Sequence, residues 1–111
     1  MAVRQTQTLG YPRIGRDREL KRALEGYWRG DLDKPALLRT FWEVTESGWR
    51  IQLESGIDYI GVGSETLYDH VLDWAVRFGL VPARFDGLSD LTQYFAMARG
   101  SEDVPALEMT K

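Results

Sequence analysis

Between Asp33 and Gly56, the residues Leu38, Phe41, Trp42, Thr45, Trp49 and Leu53 keep to one helical face for about five turns. Asp33 supplies an N-cap, Pro35 suits the first turn, and Gly56 is the stop. A helix this long must bury its stripe against another layer, and the rest of the chain has to provide it.

Shorter helical patterns flank it. Leu20, Ala23, Leu24, Tyr27 and Trp28 follow the i, i+3, i+4, i+7, i+8 spacing, with Asp17 as cap and Gly30 as end. Leu67, Tyr68, Val71, Leu72, Ala75 and Phe78 predict a third helix, stopped by Gly79. After an Asp86-Gly87 turn, Ser89 caps a fourth helix bearing Leu91, Tyr94, Phe95 and Ala98, which ends at Gly100.

Three short segments read as strands: residues 8–11, 58–63 and 104–111. The order is β-αα-β-αα-β, which implies parallel pairing with right-handed crossovers. Three strands are too few to close a barrel of eight. Such a sheet leaves one face and its edges bare, so self-association, domain swapping or rearrangement is expected. No repeat, low-complexity segment or linker divides the chain. The closing residues 106–111 carry no cap or tail, so a piece of a longer chain is expected.

Composition removes several function classes. A chain of 111 residues makes one small domain, and its net charge of −3 argues against a nucleic-acid partner. No run of eighteen apolar residues offers a membrane span. There are no cysteines, hence no disulfides or thiolate metal sites, which suits a reducing compartment such as the cytoplasm.

Charge is concentrated at one place. In residues 13–22, five basic side chains (Arg13, Arg16, Arg18, Lys21, Arg22) against Asp17 and Glu19 give +3, whereas the whole chain is −3. Arg18 and Lys21 share a face near a helix start, where the dipole is positive and backbone N–H groups point outward. Cations there cost roughly 0.3–1 kcal/mol each, a penalty that a bound anion reverses. Two readings stay open: a site for a phosphate or a chain of carboxylates, or a solvated face whose cations pair with Asp17, Glu19 and Glu25. Lys111, after the third strand candidate, is expected on the same side as the basic turn; as the last residue it is also a candidate for fraying.

Other chemistry is thinner. His70, the sole histidine, sits in Tyr68-Asp69-His70 with no nucleophile elbow nearby, and one histidine cannot build a zinc site without several carboxylate partners. Asp58, Glu65, Asp69 and Asp73 cluster in sequence, and the last three share a face if the third helix starts early enough. Acid–base work would need one of them buried; a solvated acidic face is the plainer reading. Trp28, Trp42, Trp49 and Trp74 have helical spacing and are expected in the core. Gly10, Gly15, Gly61 and Gly63 form no phosphate-loop or dinucleotide signature.

These residues carry a family resemblance. Thr8-Leu9-Gly10-Tyr11-Pro12-Arg13-Ile14-Gly15 resembles the opening signature of cobalamin-independent methionine synthases, and Arg18-Glu19-Leu20-Lys21 resembles their folate-tail motif. Glu25-Gly26-Tyr27-Trp28, Gly56-Ile57-Asp58, Tyr68-Asp69-His70-Val71-Leu72-Asp73, Tyr94-Phe95-Ala96-Met97-Ala98-Arg99-Gly100 and Pro105-Ala106-Leu107-Glu108-Met109-Thr110-Lys111 resemble further blocks, in order. One departure stands out: Val62-Gly63-Ser64-Glu65 occupies the place where the family usually has Val-Gly-Asp-Phe.

The resemblance implies an α/β fold, a partial (βα)8 TIM-type barrel holding about the first three strands of an N-terminal barrel, with residues 1–111 as its fragment. It implies a methyltransferase of methionine biosynthesis. The methyl group passes from 5-methyltetrahydropteroyltri-L-glutamate, a folate polyglutamate, to homocysteine. Zinc would activate the thiol from a C-terminal barrel absent here. By the same resemblance, Arg18, Glu19, Leu20, Lys21 and Lys111 contact the folate tail; no catalytic or metal residue falls in this chain, which alone is expected to be inert. The alternative is a stand-alone binding or assembly module derived from the synthase.

Overall fold

In the computed structural model, which describes residues 3–107, the chain divides after Leu67 into two units. The first is built on α1 (Glu19–Arg29) and α2 (Lys34–Glu54), which pack on each other. Leu20, Ala23 and Leu24 turn their side chains inward from α1. Gly26 is buried with them, because the Leu32 side chain lies only 3.2 Å from where a Cβ would stand. Gly30 closes α1 at φ 84, a left-handed conformation that glycine adopts without steric cost.

α2 starts as expected. The Asp33 carboxylate accepts the Ala36 N–H at 2.9 Å, and Pro35 lies in the first turn. Its buried face overlaps the expected stripe only at Thr45. Leu37, Thr45, Gly48 and Gln52 point inward, whereas Trp42 is 56% and Leu53 64% exposed. Polar residues go inside because they find partners. The Thr8 hydroxyl donates to Gln52 Oε1, and Gln52 Nε2 donates to the Gly48 carbonyl at 3.1 Å.

The expected three-stranded partial barrel is not what forms. Among the described residues there is no sheet; a single parallel bridge joins Gln7 to Tyr59. It consists of the Thr8 N–H on the Tyr59 carbonyl at 3.2 Å and the Tyr59 N–H on the Thr6 carbonyl at 2.9 Å. Around it, side chains take the bonds that a ladder would use. Asp58 Oδ2 accepts from both the Thr6 N–H (2.8 Å) and its hydroxyl (3.1 Å). Farther along, Gly61 comes so close to the Leu9 backbone that a Cβ would lie 2.8 Å from it. At Gly63 the backbone takes φ 88. The ground for expecting self-association was a bare sheet face, and it goes with the sheet.

The second unit contains α3 (His70–Arg77), a 3-10 turn (Ala83–Phe85) and α4 (Asp90–Arg99). Its core is Leu72, Phe85, Leu91, Tyr94, Phe95 and Met97. α3 begins three residues later than the Leu67 pattern suggests, because Asp69 caps it by accepting the Leu72 N–H at 2.8 Å. Ser89 holds the cap position of α4, but its hydroxyl makes no cap bond. The third strand candidate is a loop as far as residue 107; residues 108–111, with Lys111, lie outside the described residues. In that loop the Arg84 guanidinium donates to the Pro105 and Ala106 carbonyls, at 3.3 and 2.9 Å. The Leu107 N–H goes to the Met97 carbonyl at the end of α4, at 3.0 Å.

Candidate functional site

The basic turn is a tight loop closed by its own backbone. The Arg18 N–H donates to the Gly15 carbonyl at 3.2 Å, and the Leu20 N–H donates to Ile14 at 3.0 Å. Gly15 sits at φ 92 and Arg18 at φ 60, both left-handed. Arg18, not Asp17, therefore occupies the cap position of α1, and it makes no side-chain cap bond. Glu19 reaches back so that its Oε2 accepts the Asp17 N–H at 3.2 Å. Much of the backbone N–H array expected at this helix start is thus already used. What faces solvent is mainly side-chain charge.

Those charges are mostly unpaired. Arg16, Arg18, Lys21 and Arg22 are all exposed. Lys21 Nζ lies 3.8 Å from Glu25 Oε1, with both side chains about half exposed, an ion pair worth little in water. Arg16, Arg18 and Arg22 make no ion pair among the described residues. Of the pairings a solvated face would use, only Lys21 with Glu25 forms among the described residues. Arg13 turns away from the cluster, its guanidinium directed at the Thr66 and Leu67 carbonyls, 3.4 Å from each. Leu20 is fully buried, so its side chain serves the core.

Beside the turn, an open groove of about 720 Å³ runs between the loop and α2. Tyr11, Arg16, Glu19, Arg22, Glu43 and Gly48 are among its lining, whereas Arg18 and Lys21 are not. The cluster thus has two aspects, one over the groove and one toward open solvent. Sequence reasoning had no means to divide them, because the division depends on where α2 passes.

The remaining candidates prove structural. Glu65 is not on a helix with Asp69 and Asp73. It precedes α3, and its carboxylate accepts the Gly63 N–H at 2.8 Å and an indole N–H from α2. Asp69 caps α3, and Asp73 accepts the Tyr94 hydroxyl at 2.7 Å. That hydroxyl also receives the Tyr68 N–H at 3.0 Å. The Tyr68-Asp69-His70 trio is therefore a helix start, with His70 exposed at the first position. Trp28 and Trp49 are partly buried, but Trp42 and Trp74 (53% exposed) do not belong to a core. Arg77 lies over the Trp74 ring at 4.7 Å. Among the described residues no three His, Cys, Asp or Glu side chains converge, so these residues do not fit a zinc centre. Among the same residues no helix is long and apolar enough to cross a membrane.

A basic turn closed through Gly15 opens the first helix of this chain, and the match to known proteins is specific. Residues 5–111 match the family described as cobalamin-independent synthase, N-terminal domain, and the chain belongs to that family. It is similar to the 5-methyltetrahydropteroyltriglutamate–homocysteine methyltransferase of Synechococcus sp. (strain JA-2-3B'a(2-13)), at 64% identity over 107 residues. The protein of the same name from Thermosynechococcus vestitus is 58% identical over 107 residues. In each case 96% of this chain and 14% of the relative are covered. The Bacillus subtilis protein of that name is 47% identical over 112 residues, covering all of this chain and 15% of the relative. The chain thus spans about one seventh of the length of these relatives.

Proposed function

We propose that this chain is the N-terminal part of a methyltransferase that moves a methyl group from a 5-methyltetrahydrofolate polyglutamate to homocysteine, and that its basic turn holds the polyglutamate tail. One observation carries the tail-binding reading: four exposed cations, three of them without an ion-pair partner among the described residues, gather at a single helix start in a chain of net charge −3. The relatives' name supplies the matching ligand, a pteroyltriglutamate whose tail adds a carboxylate with every residue. Arg18 can offer a planar fork to one carboxylate, and Lys21 a point charge to another. In water each contact at about 4 Å is worth on the order of 1 kcal/mol, so affinity has to come from several carboxylates together. We assign Lys111 to the same tail as a third cation. Leu20 contributes a buried anchor for the turn.

Titrating the chain with methyltetrahydrofolate triglutamate and monoglutamate by calorimetry tests this reading. The triglutamate should bind more tightly, the gap should narrow as salt is raised, and Arg18→Ala with Lys21→Ala should close it. Equal binding of the two ligands, or an unchanged gap in the double variant, would overturn it.

A further inference from the structure

An acidic side chain in the middle of a polyanion site poses a question, because Glu19 should repel a polyglutamate tail. Nor does it form an ion pair with its basic neighbours among the described residues. Unlike Arg16, Asp17, Arg18 and Lys21, it is only partly exposed. We infer that Glu19 is a positioning residue that clamps the turn bearing Arg16 and Arg18.

Three observations converge on this. Glu19 Oε2 accepts the Asp17 N–H at 3.2 Å, so the first residue of α1 reaches back over the turn that precedes it. The side chain folds onto Gly15, and a Cβ there would overlap its carboxylate, so the absence of a side chain at position 15 makes room for the clamp. Gly15 in turn accepts the Arg18 N–H at 3.2 Å, and Arg18 is held at φ 60, a conformation uncommon for a residue with a Cβ. Glycine, carboxylate and left-handed arginine form one closed unit. A negative charge in the first turn also suits the dipole of α1. The clamp thus sets the directions in which Arg16 and Arg18 leave the backbone, Arg16 over the groove and Arg18 outside its lining.

The consequence for binding rests on the tail-binding reading above, whereas the loop geometry stands by itself. Charge alone predicts that removing Glu19 helps a polyanion bind. The clamp predicts the reverse for Glu19→Ala, and rescue by Glu19→Gln, which keeps an acceptor oxygen without the charge.

Amide hydrogen exchange at Asp17 and triglutamate affinity, measured on the full chain, separate the two. In Glu19→Ala the Asp17 amide should exchange roughly three- to tenfold faster, the range expected for one lost hydrogen bond. In Glu19→Gln it should stay near wild type. Triglutamate affinity should fall in Glu19→Ala and hold or rise in Glu19→Gln. Gly15→Ala, with Glu19 intact, should reproduce the faster exchange, and the effects of Gly15→Ala and Glu19→Ala should not add. Unchanged Asp17 exchange in Glu19→Ala, or tighter triglutamate binding by that variant than by wild type, would overturn the inference. If wild type itself fails to prefer triglutamate over monoglutamate, the tail-binding reading falls, and the exchange measurements alone decide the clamp.

Discussion

The indole N–H of Trp49, on α2, donates to Oε1 of Glu65 at 2.9 Å across sixteen positions of sequence. The other carboxylate oxygen of Glu65 takes the Gly63 N–H at 2.8 Å. This one side chain fastens the loop after the parallel bridge to the long helix. It sits in the Val62-Gly63-Ser64-Glu65 stretch, between the parallel bridge and α3.

Glu65→Ala should therefore destabilise the first unit by about 1–3 kcal/mol, because it strands a partly buried indole donor as well as a backbone N–H. Glu65→Gln, which keeps an acceptor, should lose less. Urea unfolding followed by tryptophan fluorescence reads both. A midpoint for Glu65→Ala equal to that of wild type would mean that the tether carries no weight.

Two glycines offer a paired comparison. A Cβ at Gly61 would stand 2.8 Å from the Leu9 carbonyl carbon and from the Thr8 oxygen, both of them backbone. A Cβ at Gly48 would meet the Tyr11 ring, also at 2.8 Å, but Tyr11 is 43% exposed and can swing aside. Gly61→Ala should cost about 1–3 kcal/mol. Gly48→Ala should be near neutral, since alanine regains up to about 1 kcal/mol inside a helix. Chemical denaturation of the two variants gives the order, and amide exchange at Thr8 and Tyr59 should rise only in Gly61→Ala.

The helix starts make a sharper contrast. Asp33 caps α2 by accepting the Ala36 N–H at 2.9 Å, whereas the Ser89 hydroxyl makes no cap bond at α4. Asp33→Ala should cost about 1 kcal/mol, and Ser89→Ala should leave the unfolding midpoint where it was. Comparable losses at both positions would contradict the geometry.

What could be read in advance was local. Asp33, Pro35, Gly30 and Gly79 announce helix boundaries through interactions that span only a few residues. The basic turn is visible for the same reason, since charge density needs no fold to be counted. The strands were not legible, because a strand exists only with a partner. Residues 8–11 and 58–63 have suitable composition, yet Asp58 and Thr8 spend their side chains on bonds that a ladder would have made with backbone. Of the face expected for α2, Thr45 is buried, but the burial of Gln52 was missed because it depends on Thr8, forty-four positions away. Within the site, Arg16, Arg18, Lys21 and Arg22 could be nominated from sequence. The loop that orients them could not, because Glu19 looks like any other acidic residue until its carboxylate is seen over Gly15.

Arg18, finally, lives at a backbone angle that suits a smaller residue. Holding a side chain with a Cβ at φ 60 costs about 1 kcal/mol or more, and glycine in its place would relieve that cost. If the turn holds a polyglutamate tail as proposed, thermostability and ligand capture make opposite demands on a single codon: the substitution that relaxes the main chain is also the one that discards the guanidinium. Strain here serves as a toll on drift toward a quieter, chargeless turn, and any engineering of this domain for heat tolerance meets that trade-off first at position 18.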